Sequence, residues 1–284
     1  MRADRSTRRR EVVGAVGIGA LALVLGGCTL RRAGRPFEPP PGSAVPAVWH
    51  GYERFDFTVD GRHCIIVRPE RVAPGTPWVW RATFFEQRPE VEVALLARGF
   101  HVAYMEVTDL CGSPAAVAHW DAFYRQLTTA HGFAARPALT AISRGGLIAY
   151  NWAAAHPDRV ACIYADVPVC DFKSWPGGKG HGPGEAAEWQ RCLDAYGFDE
   201  AQALSYAGNP VDQLGPLADA GVPLLHAVGD TDHLVPFDEN TGLLAQRYRE
   251  LGGDIEVIVK PGVGHEPGLD DPTPVIEFIA VHAE

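Results

Sequence analysis

From Tyr52 onward the chain alternates between two kinds of segment, and this alternation restricts the fold more than any other feature. Short runs rich in β-branched and aromatic residues read as strands: "YERFDFTV", "RHCIIVRP", "PWVWRATFF", "FHVAYMEV", "ALTAI", "VACIYADVPV", "PLLHAVGD" and "DIEVIVK". Between most of them lie helical patterns. These are "PEVEVALLARG" with its Gly stop, "PAAVAHWDAFYRQLTTAHG", "GLIAYNWAAAHP" ended by Pro157, and two further patterns at 238–251 and 272–282. Such a succession predicts an α/β fold, a mostly parallel central sheet flanked by helices. Asp60-Gly61 between the first two runs is a hairpin signal and adds an antiparallel edge. The alternation lapses over 171–221, where "SWPGGKGHGPG" precedes helix-like "EAAEWQRCLDAYG". An insertion at this place is expected to cap the carboxyl ends of the strands, where open α/β sheets bind ligands.

The opening residues do not belong to that pattern. "MRADRSTRRREVVGAVGIGALALVLGGC" has a basic start and an apolar run from Val12 to Gly27, shorter than the ~20 residues of a membrane span. Residues 1–28 read as an export signal. Its Arg9-Arg10 pair resembles a twin-arginine signal, and "LGGC" at Leu25–Cys28 resembles a lipobox, which implies lipidation of Cys28. An uncleaved N-terminal helical anchor is the alternative, and both place the domain outside the cytoplasmic membrane. Residues 29–50 are biased toward Pro, Gly and Ala and read as a flexible tether, which leaves 51–284 as the folded domain.

Net charge is −10, and removing the five arginines of the leader makes the remainder more acidic, which argues against a nucleic-acid partner. Contact with a membrane is expected only through the lipid anchor. Cys64, Cys111, Cys162, Cys170 and Cys192 remain after the leader. None has CxxC spacing, so no zinc site is predicted. An exported chain has scope for a Cys170–Cys192 disulfide; small buried apolar thiols are the other reading.

Chemistry concentrates where strands end. "TAISRGG" places Ser143 between the run "ALTAI" and a helix. A nucleophile elbow needs such a strand-to-helix turn, with small residues two before and two after the serine, here Ala141 and Gly145. "GDTDHLVP" follows the run "PLLHAV" and offers Asp232, and "VKPGVGHEPG" places His265 in a glycine-rich turn after the last strand-like run. The order Ser143, Asp232, His265 gives acyl transfer its nucleophile, orienting acid and general base, each from a strand end. Asp230 is a rival acid whose bland role is to cap the turn, and Asp166 and Asp171 are rivals after the preceding strand. Among the histidines, His226 lies within a strand and His233 beside the acid, which leaves His265 with the right address.

These motifs make the region from about Tyr52 to the C-terminus resemble the α/β-hydrolase superfamily. "SRGG", "GDTDHLVP" and "GVGH" are most similar to its prolyl-oligopeptidase and dienelactone-hydrolase branch. The resemblance implies Ser143 as nucleophile, Asp232 as acid and His265 as base, with no metal and no cofactor. It also implies an oxyanion hole from the amide of Arg144 and a second amide after the third strand. The His-Gly pair that usually precedes that donor is missing, and "WVWRATFF" stands there, so Trp80 or Arg81 is the expected substitute. In the cap, Trp175 is expected to stack on substrate and Lys179 or Lys173 to meet an anionic group, against the plainer reading of a mobile surface loop.

The expected function is an extracytoplasmic serine hydrolase that cleaves small or carbohydrate-linked carboxylic esters through an acyl-enzyme. A peptidase of prolyl-oligopeptidase type is the enzymatic alternative, although 284 residues leave no room for the large N-terminal propeller of those peptidases. A non-catalytic surface binding protein on a hydrolase scaffold is the third reading. Export has its own test. Expressed in a bacterium that processes lipoproteins, the chain is expected to partition into membranes, and Cys28→Ala to release or misprocess it. Equal membrane content in both forms rules the anchor out.

Overall fold

The computed structural model describes residues 34–39 and 45–283. The leader with Arg9, Arg10 and Cys28, and residues 29–33 and 40–44 of the segment read as a tether, lie outside the described residues. No helix among the described residues is long and apolar enough to cross a membrane.

Among the described residues the sheet has nine strands. Three open the chain: β1 (Val45–Trp49), β2 (Tyr52–Val59) and β3 (Arg62–Arg68). They are followed by β4 (Trp78–Arg81), β5 (His101–Met105), β6 (Ala138–Ile142), β7 (Cys162–Asp166), β8 (Leu224–Gly229) and β9 (Ile255–Lys260). Their spatial order is β1-β2-β3-β5-β4-β6-β7-β8-β9. The pairs β1–β2, β2–β3 and β3–β5 are antiparallel, and every pair from β5–β4 to β8–β9 is parallel. The chain leaves β4 toward β5 and comes back to β6 on the other side, so the strand order reverses at β4. Such a reversal is where open α/β sheets bind ligands, and Ser143 follows the carboxyl end of β6 beside it.

β5, β6, β7 and β8 are buried along their whole length, as expected of parallel strands covered on both faces. On one face lie α2 (Pro114–Arg125), α3 (Gly145–Ala155) and α7 (Thr241–Glu250), which contribute Trp120, Phe123, Trp152, Leu244 and Tyr248 to a cluster with Trp78 and Trp80. Trp80 stacks on Trp120 with ring centroids 3.9 Å apart. The other face is covered by α1 (Glu90–Ala97) and α8 (Thr273–Ala283) through Val91, Leu95, Val275 and Ile279.

The tether begins to fold earlier than its composition suggests. Val45–Trp49 forms the edge strand β1, and Phe37 is fully buried against Phe55, Phe57 and Phe133. The Phe37 amide donates to His101 Nε2 at 3.1 Å. Burial pushes His101 down to about 3, so the ring is neutral and can accept. One aromatic residue in a Pro-rich segment was enough to dock it, which the averaged composition concealed.

The insertion between β7 and β8 carries α4 (Ala186–Tyr196), α5 (Glu200–Ser205) and α6 (Gly215–Asp219). α4 ends at Gly197, which takes the left-handed conformation at φ 67°, and α5 starts with a capping box of Asp199 and Gln202. Phe172, Trp175, Cys192 and Leu193 of the insertion form a third apolar cluster with Leu147 of α3 and Val235. Cys170 and Cys192 are free, like the other described cysteines, and Cys192 instead packs with Cys111 in that cluster.

Candidate active site

Ser143 stands on a turn that backbone contacts enforce from several sides. Its φ is +51°, a left-handed conformation that costs a non-glycine residue on the order of 1 kcal/mol. The Ser143 amide donates to the Asp166 carbonyl at 2.9 Å, and the Ser143 carbonyl accepts from the amides of Val169 at 2.9 Å and Gly146 at 3.0 Å. Space explains the two glycines. A Cβ on Gly145 would lie 2.4 Å from Thr83 Oγ1, and one on Gly146 would lie 2.4 Å from the Val169 carbonyl oxygen. Any larger residue would push the elbow off the strands beside it.

The other two residues arrive on loops laced together. The Thr231 amide donates to the Val263 carbonyl at 3.0 Å, and the Gly262 amide donates to Asp230 Oδ1 at 2.6 Å. Gly229 permits the approach, because a Cβ there would lie 2.1 Å from the Val263 oxygen. The result is a continuous polar line. Ser143 Oγ lies 2.9 Å from His265 Nε2, and His265 Nδ1 lies 2.7 Å from Asp232 Oδ2. Asp232 Oδ1 accepts from the amides of Leu234 at 3.0 Å and Val235 at 2.9 Å. A carboxylate held this way can only accept from the ring, so Nδ1 carries the proton and Nε2 is free to accept from the serine.

The rival carboxylates sit elsewhere. Asp230 caps Gly262, Asp171 accepts from the Lys173 amide at 2.8 Å, and Asp166 accepts from Tyr164, Lys260 and Gly268. None of them meets the imidazole.

The expected oxyanion donors divide. Among the described residues, the Arg144 amide has no intramolecular acceptor and opens α3, whose dipole favours negative charge there. Trp80 and Arg81 do not fit the second position. Both lie inside β4, bonded to β5 on one side and β6 on the other, and both side chains are buried. Trp80 belongs to the tryptophan stack, and Arg81 Nη1 donates to Glu92 at 2.7 Å. Beyond the strand end the Ala82 amide donates to the Thr140 carbonyl, so the first unpaired amides are those of Thr83 and Phe84. The strand-like run "PWVWRATFF" extends to Phe85, whereas β4 ends at Arg81 and only the Ala82 amide is paired beyond it.

The cap residues also sit differently from expectation. Trp175 is 7% exposed, inside the cap cluster. Lys179 Nζ binds Glu200 and lies 5.4 Å from the Trp189 ring centre, and Lys173 Nζ donates to the Tyr206 carbonyl at 3.0 Å. Neither lysine is left free for an anionic substrate. The residue that sequence reasoning overlooked is the side chain of Arg144. Its guanidinium lies 4.9 Å from the Trp175 ring centre and donates to Glu188 of α4 at 2.9 Å, tying the elbow to the cap. Only the amide of Arg144 had a motif to announce it.

The family model of the prolyl oligopeptidase family matches residues 121–279, a span that includes Ser143, Asp232 and His265. The chain belongs to the prolyl oligopeptidase family. Its sheet and the solved structures it resembles give it the α/β-hydrolase fold. No curated protein sequence matches it significantly. Among solved structures it is similar to Porphyromonas gingivalis dipeptidyl peptidase 4, with a TM-score of 0.61 and 15% identity over 78% of this chain. A Mycobacterium tuberculosis puromycin-hydrolyzing peptidase gives 0.62 and 16% over 83%. This family member spans only 33% and 39% of those two peptidase chains. A cold-adapted esterase from an Arctic intertidal metagenomic library gives 0.55 and 14%, covering 84% of this chain and 97% of the esterase.

The position of Trp175 has a measurable consequence. Trp175→Ala removes the ring under Arg144 and hollows the cap cluster, so urea unfolding is expected to show a loss of about 3–5 kcal/mol. A loss below about 1 kcal/mol together with a raised KM returns the ring to substrate stacking.

Proposed function

We propose that this chain is a serine hydrolase that cleaves carboxylic esters through an acyl-enzyme, outside the cytoplasmic membrane, with Ser143 as nucleophile, His265 as base and Asp232 as acid. The observation that carries the reading is the polar line from Ser143 Oγ through His265 to Asp232. His265 Nε2 takes the Ser143 proton as Oγ attacks the ester carbon. The carbonyl oxygen becomes an oxyanion facing the Arg144 amide, with a second amide from Thr83 or Phe84. Each such donor is worth about 3–4 kcal/mol in the transition state. The imidazolium formed beside Asp232 then protonates the leaving alcohol. Water, deprotonated by the same nitrogen, attacks the acyl carbon and releases the acid and the free serine.

Ester rather than peptide cleavage is supported by the likeness to the cold-adapted esterase, which extends over 97% of that chain. Peptide cleavage is the second reading. It is supported at least as well by the family match and by the likeness to the dipeptidyl and puromycin-hydrolyzing peptidases. Both readings use the same acyl transfer.

A panel of acetyl, longer acyl and aryl esters beside proline peptides separates the two. Esters are expected to give the higher kcat/KM, and the reverse ranking transfers the assignment to peptides. A fluorophosphonate is expected to label Ser143 in either case, and absence of that adduct removes the enzyme reading altogether. The acid is tested by amide replacement. Asp232→Asn keeps the shape but lets the ring turn its proton toward the serine, and is expected to lose on the order of 10³–10⁴ in kcat while staying folded by circular dichroism. Asp230→Asn is expected to lose less than about tenfold, since its carboxylate caps a turn. The opposite result moves the acid by two residues.

A further inference from the structure

Asp166 holds a position that the proposed reaction does not account for. It ends β7, beside the elbow, and is 2% exposed. Its carbonyl oxygen accepts the Ser143 amide at 2.9 Å. Its carboxylate faces the other way along the site. Oδ2 accepts from Tyr164 Oη at 2.8 Å and from the Gly268 amide at 2.5 Å, and Oδ1 accepts from Lys260 Nζ at 3.3 Å. Lys260 closes β9 just before the histidine loop, and Gly268 lies three residues beyond His265. Lys260 Nζ also donates to the carbonyls of Glu266 and, at 3.2 Å, Gly268. The segment from 260 to 268, with His265 at its turn, is therefore fastened at both ends to one buried carboxylate.

Burying a charge this deeply costs several kcal/mol unless partners recover it, and a well-packed apolar residue would often serve stability as well. The arrangement does something an apolar residue would not. One residue holds the nucleophile by its carbonyl and the loop of the base by its carboxylate, so the Ser143–His265 separation is measured across a single side chain. We propose that Asp166 and Lys260 form a positioning pair that sets the Ser143 Oγ to His265 Nε2 distance for the acyl-transfer step, an inference that rests on the roles proposed for those two residues.

An Asn at 166 sharpens the test. Both carboxylate oxygens face donors, so an amide NH2 meets a donor whichever way it turns. The loop is then released on one side, and a misplacement of about 1 Å at the reacting atoms corresponds to roughly 10² in rate. Asp166→Asn, Lys260→Met and the double variant are to be compared on an activated aryl ester, by kcat, KM, the rate of fluorophosphonate labelling and Tm. The expected result is a kcat and a labelling rate down by about 30–100-fold in each single variant, KM within about threefold, and a double variant no slower than the worse single. Unchanged kcat with a lowered Tm in Lys260→Met, or losses that multiply in the double variant, overturns the proposal, and the lysine variant decides the matter if Asp166→Asn fails to fold. Ser143→Ala and Asp232→Asn run in the same assay. An active Ser143→Ala, or a fully active Asp232→Asn beside an inactive Asp166→Asn, sinks the underlying triad reading and not the positioning pair alone.

Discussion

The molecule is organised around the close approach of backbone at Ser143. A left-handed serine between a buried strand and a helix holds only if the neighbouring chain comes within hydrogen-bonding distance on both sides. It does so through Asp166 at the end of β7 and Val169 just beyond it. That approach forbids side chains at 145 and 146 and places Thr83 against the first of them. Thr83 Oγ1 in turn donates to the Ile142 carbonyl at 2.8 Å, so the residue beside the elbow also closes the last free acceptor of β6. The strain at Ser143 is offset by parallel strands buried on both faces, which leave the turn no direction in which to relax.

The cap is fastened to the same point. Arg144 follows Ser143, and its guanidinium lies over Trp175 and bonds Glu188, which also receives Arg191 at 2.6 Å. A cation against an aromatic face, paired with a half-buried carboxylate, is worth more than an exposed ion pair because water is largely kept away. The backbone of Arg144 carries the amide proposed for the oxyanion while its side chain is bonded to the cap, so the two share one residue. The lysines that the sequence offered as substrate contacts are drawn into the cap instead, Lys179 by Glu200 and Lys173 by the Tyr206 carbonyl.

Much of this was legible before any coordinates, and the reason is periodicity. β6, β7 and β8 are largely apolar runs because both faces are covered, α3 between the first two is apolar nearly all round and is stopped before Pro157, and α4 stops at Gly197. The elbow was legible because crowding leaves a composition, small residues two positions either side of the serine. Side-chain partners leave no such trace. Nothing in "WVWRATFF" tells that Arg81 turns inward to Glu92 or that β4 pairs on both sides as far as its last residue. Nothing in "RPFEPPPG" tells that Phe37 finds a pocket of phenylalanines, or that Val45–Trp49 extends the sheet. Trp175 is a further case: a tryptophan among glycines looks exposed in sequence, and its place in the cap cluster depends on contacts such as that with Arg144, 31 residues away.

Three aspartates lie close to the histidine loop, and the reason only one of them meets the ring is a matter of lone pairs. Asp230 turns Oδ1 to the Gly262 amide and so fixes the start of the loop. Asp166 has both oxygens filled by Tyr164, Lys260 and Gly268, and so fixes its two ends. Asp232 has one oxygen filled by the amides of Leu234 and Val235 and presents the other to Nδ1. The amides keep its charge stabilised without competing for the oxygen that faces the ring, since each carboxylate oxygen offers its own acceptor sites. An acid that also had to anchor the loop would pull against the ring it orients. In the proposed reaction this division leaves Asp232 to orient the imidazole, while Asp166 and Asp230 hold the loop around it.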